Sequence, residues 1–330
     1  MSINSSVSTR NIVFLHKFAS CFGLTPTDGL STVRTRSKSK LFSLLLLMLL
    51  LGGYLYSIIG RYVYNYPVIM PTARFTDFIS YTMICLSNVG SILEIGIVKC
   101  DKLKRFVTNV ERVNRATRRF HSRTKSGASF LLEFVWLHAH AALYVTVGFY
   151  YWITYLSYYF KYSILQFFQQ YAVLVLVLLI HNCVMCLKQS FANVNADLVD
   201  YVRSHVNFNT AQNVKMRRSC KNVSVVCGRD EFSRNGLHVI VRTYLELLDL
   251  TDTINDVFGY QMLILMGKIF TDLMVPLNIM TIYVPRNIAD HMIVFLNVFC
   301  VLWSTLSMVS PISCDFRRLD VEISFNSVEI

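Results

Sequence analysis

Lys268 and Asp272 stand four residues apart inside an otherwise apolar stretch, so a helix there puts both on one face. Charges at such depth are costly alone and usually pair or face a cavity. A structural ion pair is the first reading, a transport relay the second. Pro276 and Asn278 follow and predict a kink. Cys183 and Cys186 have the spacing of a redox or metal pair, but they lie in a continuous apolar run, which favours packed thiols. His138 and His140 are two apart and face opposite ways on a helix, so they do not chelate one metal; His181 is the remaining intrasegment histidine. The chain carries no His-x-x-x-His series, Gly-rich phosphate loop or nucleophile elbow. No enzyme activity, metal site or cofactor is expected from these residues.

The elements that must position these groups are membrane helices. The chain is 54% hydrophobic with only 16% charged residues, well below the quarter or so usual for soluble domains. Its mean hydropathy is +0.44. Apolar runs predict segment one at 41–59, two at 75–98, three at 130–159, four at 164–187, five at 257–284 and six at 292–309. Segment two is weakened by Asp77, Asn88 and Glu94, and Glu94 and Glu133 are expected to reach the interface. The short link at 160–163 makes segments three and four an antiparallel hairpin. The fold class expected is therefore all-α, a polytopic integral membrane helical bundle with six crossings.

Residues 244–262 join two environments. Leu247, Leu248, Leu250, Ile254, Val257 and Phe258 form an apolar side, opposite Glu246, Asp249, Asp252, Thr253 and Asp256. Beyond Val257 the polar side vanishes into Met-Leu-Ile-Leu-Met. Taken on its own, the acidic stripe reads as a face turned to water.

An even number of crossings puts both termini on one side. Of the 32 Lys and Arg, only Arg61, Arg74, Lys161 and Arg286 fall on the opposite side, with Lys268 inside segment five. The rest occupy the N-terminal tail, the 99–128 loop, the 188–256 region and Arg317 and Arg318. The positive-inside bias makes both termini cytoplasmic, so the net charge of +12 reflects topology and no nucleic-acid partner is expected. The sequons at Asn4 and Asn222 then escape glycosylation. The expected division is a cytoplasmic basic tail (1–40), transmembrane helices one to four (41–187), a cytoplasmic helical anchor region (188–256), transmembrane helices five and six (257–309) and a short cytoplasmic tail (310–330). A G-protein-coupled receptor has the reverse orientation.

Leu248, Ile254, Asn255, Phe258 and Gly259 match a Leu-rich helix leading to Ile-Asn, two residues, then Phe-Gly. With Phe22-Gly-Leu-Thr-Pro26 ahead of the first span, this resembles the insect gustatory receptor family, whose members have seven helices and a cytoplasmic N-terminus. The resemblance spans roughly residues 12 to 315. It departs where the family has a seventh helix with Thr-Tyr, apolar residues and Gln-Phe; residues 315–330 are a short charged tail.

The resemblance implies a ligand-gated cation channel subunit, assembled as a homo- or hetero-tetramer with other gustatory receptor subunits in the plasma membrane of chemosensory neurons. It also implies that the cytoplasmic helical region packs as an intersubunit anchor, with the acidic stripe toward the basic loops of the same or a neighbouring subunit, and that a small-molecule tastant binds among the outer helix halves. Tyr150, Tyr151, Trp152, Tyr155 and Tyr159 with Gln166, Gln169 and Gln170 are the candidates, since aromatic walls with a few amides suit partly polar ligands. An interfacial aromatic belt fits the same tyrosines. The alternatives are a truncated non-conducting subunit or pseudogene product, and a six-helix transporter, which would show internal repeats and broken helices.

Overall fold

Apolar residues at helical spacing build each element of the computed structural model, which describes residues 7–25, 36–65, 71–117, 126–156, 161–162, 164–216 and 227–282, with Phe295 and Phe299. The described residues form helices and turns without a strand. The helices are α1 (Val7–Ser20), α2 (Arg36–Gly60), α3 (Pro71–Ser91), α4 (Cys100–Thr117), α5 (Ser126–Leu156), α6 (Ile164–Met216) and α7 (Cys227–Ile282). π-helical segments prolong α2 over Arg61–Asn65 and α3 over Ile92–Val98.

Four stretches are long and apolar enough to cross a membrane: Lys40–Tyr64, Arg74–Val98, Ile164–Arg203 and Gly236–Met274. They correspond to segments one, two, four and five. Segment three is α5, whose described apolar stretch is the shorter Phe134–Val147. Segment six lies outside the described residues except for Phe295 and Phe299, both helical and exposed. At 53 and 56 residues, α6 and α7 are each about 80 Å long, over twice the hydrocarbon thickness. Each therefore continues well beyond one face of the bilayer. α7 stays helical through Pro276.

The core is the α3–α6–α7 contact, with α3 packed most extensively on α7. Nine consecutive residues of α6, from Ala172 to Ile180, are buried, so this helix is surrounded on all sides. Exposed apolar faces on α2 (Leu45, Met48, Leu49), α5 (Leu131, Leu132, Val135) and α7 (Leu263, Phe270) suit lipid contact.

Two regions differ from the sequence expectation. The 99–128 stretch, read as a polar loop, contains the amphipathic helix α4. Leu103, Phe106, Val107, Val110 and Val113 are buried on one face, and Lys102, Arg105, Thr108 and Arg112 are exposed on the other. The 1–40 tail contains α1, which packs on α6, α4 and α5 through buried Ile12, Leu15, His16 and Ala19. Phe14 and Phe18 meet Phe134 of α5 edge-on, with ring centroids 5.4 and 5.7 Å apart. After α1 the chain turns at Gly23 (φ +67°), where the Gly23 and Leu24 amides donate to the Ser20 and Ala19 carbonyls. Thr25 Oγ1 donates to the His16 carbonyl at 2.6 Å and closes the turn. The Phe-Gly-Leu-Thr piece is thus a helix cap.

His16 is buried and its Nε2 has no hydrogen-bond partner. Burial, aided by the nearby Lys104 charge, lowers its pKa from 6.5 to about 4. The unfolded chain therefore binds the extra proton first as pH falls. The stability from a neutral His16 is complete above pH 6.5 and disappears as pH approaches 4, at most about 3 kcal/mol. We expect His16→Leu to flatten the fall in unfolding temperature across that window; an unchanged slope would assign the acid sensitivity elsewhere.

Candidate functional site

Arg61 follows the last α-helical turn of α2 and is fully buried. Its Nη1 donates to both carboxylate oxygens of Asp77 on α3, at 2.9 and 2.8 Å. Nη2 donates to Gln166 Oε1 on α6 at 2.6 Å and reaches the Tyr162 carbonyl at 3.5 Å. The guanidinium lies 4.6 Å from the centre of the Tyr81 ring. Ser57 Oγ also donates to the Tyr162 carbonyl. One side chain thus ties together the ends of α2, α3 and α6 that lie nearest the short 160–163 link. A planar guanidinium suits this, because its donors radiate in one plane toward several acceptors.

The polar groups continue down α3 at helical spacing. Ser80, three residues beyond Asp77, donates to Asp272 Oδ1 at 3.1 Å. Asp272 is also ion-paired with Lys268, whose side chain is completely buried. Asn88 Nδ2 donates to the Ile84 carbonyl at 2.9 Å and, across to α6, to the Gln169 carbonyl at 3.0 Å. Gln169 and Gln170 are both buried, on the face of α6 that carries Gln166.

At the other end of α3 a second network joins α3, α4 and α7. Lys99 pairs with Glu94 and lies 3.4 Å from Asp256 Oδ1. Asp256 also pairs with Lys102 of α4. Gln261 Nε2 donates to Glu94 Oε2 at 2.7 Å. Burial lowers the affinity of Lys99 for its proton, but the hydrogen bonds and charges of Glu94 and Asp256 outweigh it and hold the ammonium above the usual lysine range. Farther along, Glu246 lies 3.4 Å from both Arg112 and Arg242. Two members of the acidic stripe therefore meet cations of α4 in the same chain, while Asp249 and Asp252 are exposed. The contacts Ser80–Asp272, Glu94–Gln261 and Lys99–Asp256 set α3 and α7 antiparallel and link the two networks along one seam.

The candidate residues divide by location. Gln166, Gln169 and Gln170 join the buried polar seam. Tyr150, 57% exposed on α5, does not. Tyr151, Trp152 and Tyr155 continue α5, and Tyr159 lies outside the described residues. In the Ile-Asn…Phe-Gly motif, Ile254 and Phe258 enter the core and Leu248 packs against it, whereas Asn255 and Gly259 face outward. Cys183 and Cys186 are buried free thiols, and the Asn114 amide donates to Cys186 Sγ at 3.8 Å. His138 Nδ1 lies 2.7 Å from the Phe134 carbonyl, which only accepts, so this nitrogen carries the hydrogen; Nε2 meets the Tyr171 hydroxyl at 2.7 Å. Among the described residues no three His, Cys, Asp or Glu side chains are grouped to hold a metal.

Arg61 and Asp77 were absent from the sequence-derived site. The available signal was an Arg ending one apolar run and an Asp near the start of the next, since charges in membrane segments usually pair.

No curated protein matches the chain. The family profile described as 7tm chemosensory receptor matches residues 12–318, from within α1 to beyond α7. That span takes in the capped turn of α1, the polar seam and the α7 motif. The helical membrane bundle built around them is consistent with the gustatory receptor resemblance, and the chain belongs to the 7tm chemosensory receptor family.

Proposed function

We propose that this chemosensory receptor is a subunit of a ligand-gated cation channel that detects small tastants at the plasma membrane of chemosensory neurons, with both termini cytoplasmic. The observation that carries the ligand reading is the polar seam of Arg61, Asp77, Gln166, Asn88 and Gln169 on α2, α3 and α6, in which Arg61, Asn88 and Gln169 are buried. A membrane bundle retains so many buried polar groups at a cost to stability, and recognition of a polar ligand is the compensating use. Gating follows when the ligand binds one arrangement of these helices better than the other. Its differential affinity is then carried along α3 and α7 toward the Glu94–Lys99–Asp256 network.

Assembly with further subunits is supported by apolar side chains in the 188–256 region that have no cover within one chain. Val199 and Val202 of α6 and Leu237, Val239, Val241 and Leu245 of α7 are each 40–58% exposed. These surfaces fit a homo- or hetero-tetramer.

The test is recording from cells that express the full chain, alone and with co-expressed gustatory receptor subunits, under a panel of sugars, bitter compounds and amino acids. A ligand-evoked cation current abolished by Asp77→Leu, with surface expression checked separately, is the expected result. Ligand uptake without current in every combination would replace the channel reading with a transporter.

A further inference from the structure

Gln169 is completely buried, and neither its Nε2 nor its Oε1 has a hydrogen-bond partner. Beside it, Gln170 Oε1 is buried without a partner. Across the helix interface, Asn88 donates to the Gln169 backbone carbonyl, while its own Oδ1 and the Ser87 Oγ are buried and unpartnered. Native interiors rarely leave such groups unsatisfied, and these lie on two stretches of α3 and α6 joined by the Asn88–Gln169 hydrogen bond. The set offers an amide donor and several acceptors, all uncharged.

The charges nearby are already matched. Arg61 holds Asp77, and Lys268 holds Asp272. Among the described residues, an ion entering this seam would find its buried charges already paired, and buried environments penalise an unmatched charge far more than a dipole.

We propose that the α3–α6 seam at Asn88, Gln169 and Gln170 binds an uncharged ligand that presents adjacent hydrogen-bond donors and acceptors, a carboxamide or vicinal hydroxyls. This rests on the receptor reading above and names the ligand class. The unsatisfied amides make the free protein less stable than it would otherwise be, and the ligand recovers that loss on binding. Removing the Gln169 amide should therefore weaken binding and stabilise the empty receptor at once, a combination that a merely structural glutamine does not produce.

The experiment uses the full chain in lipid nanodiscs and four probes on one skeleton: benzamide, benzoate, benzylammonium and toluene. Erythritol serves as a hydroxyl-only arm. Equilibrium dialysis and thermal unfolding are the readouts. Benzamide or erythritol is expected to bind at least tenfold tighter than the two ions and toluene, and the stronger of the two identifies the source of the hydrogen bonds. Gln169→Leu is expected to raise the ligand-free unfolding temperature and to weaken the neutral probe at least tenfold. Gln170→Leu is expected to act in the same direction. Equal or absent preference among the probes overturns the proposal. So does a Gln169→Leu protein that is less stable when empty yet binds like wild type. A chain that prefers the neutral probe in nanodiscs but gives no ligand-evoked current keeps the ligand class and loses the channel reading.

Discussion

Asp77→Leu is expected to destabilise the protein more than Arg61→Met, although both break the same ion pair. The Asp77 side chain is 36% exposed and that of Arg61 1%. Removing Arg61 leaves a carboxylate three residues from the end of the Arg74–Val98 span, where it can reach water. Removing Asp77 leaves without its carboxylate a guanidinium that is almost wholly buried and does not deprotonate. Breaking a buried pair from the side that leaves the buried charge costs about 3–5 kcal/mol. The reverse change loses the Gln166 hydrogen bond and the Tyr81 contact, and its cost falls nearer 1–3 kcal/mol. Arg61→Met combined with Asp77→Leu should then be more stable than Asp77→Leu alone, because the buried charge is gone with its counterion. Thermal unfolding of the four proteins in nanodiscs gives the cycle. If Arg61→Met is the more damaging single change, or the double variant is worse than Asp77→Leu, the buried guanidinium is not the dominant cost.

This asymmetry could not be read from the sequence, and the reason is physical. Helices α2, α3, α6 and α7 were legible because unbroken apolar runs of membrane length have few alternative structures. Lys268 and Asp272 were legible as a pair because one helix sets their spacing. Arg61 and Asp77 sit on different helices, and only the packing of α2 against α3 and α6 brings them together. Helix α4 was obscured by the ten Lys and Arg residues of the 99–128 stretch, which made a regular apolar stripe at Leu103, Phe106, Val107, Val110 and Val113 look like a polar loop. Its periodicity was the signal, and composition outweighed it. The acidic stripe of α7 was visible as a helix face, but its partners on α4 were not, since they depended on recognising α4 first. Helix α1 was hidden in the same way within a basic tail.

Gly23 and Gly96 are expected to be the least replaceable glycines near α1, and for different reasons. At Gly23 the backbone is in the left-handed region (φ +67°), where a side chain costs roughly 1–2 kcal/mol. A Cβ there would also lie 2.7 Å from Leu46 Cδ2, the far end of a side chain that can rotate away. At Gly96 a Cβ would lie 2.8 Å from the Gly23 carbonyl oxygen, and a backbone atom yields only if the whole turn moves. Gly96→Ala should therefore push the capped turn off the π-helical segment of α3, at about 1–3 kcal/mol for the overpacking. Either change loosens the same contact, so the double variant should lose less than the sum of the two. Gly259→Ala is the contrasting case: nothing lies within 4 Å of its Cβ position, and alanine in a helix interior is favoured by about 1 kcal/mol. Amide hydrogen exchange of residues 12–24 in the full chain reports the docking of α1 directly. Faster exchange in Gly23→Ala and Gly96→Ala, with Gly259→Ala unchanged, is the expected pattern. Unaltered exchange in Gly96→Ala would mean that the turn tolerates displacement and that the Gly-Leu-Thr piece does not hold α1 against α3.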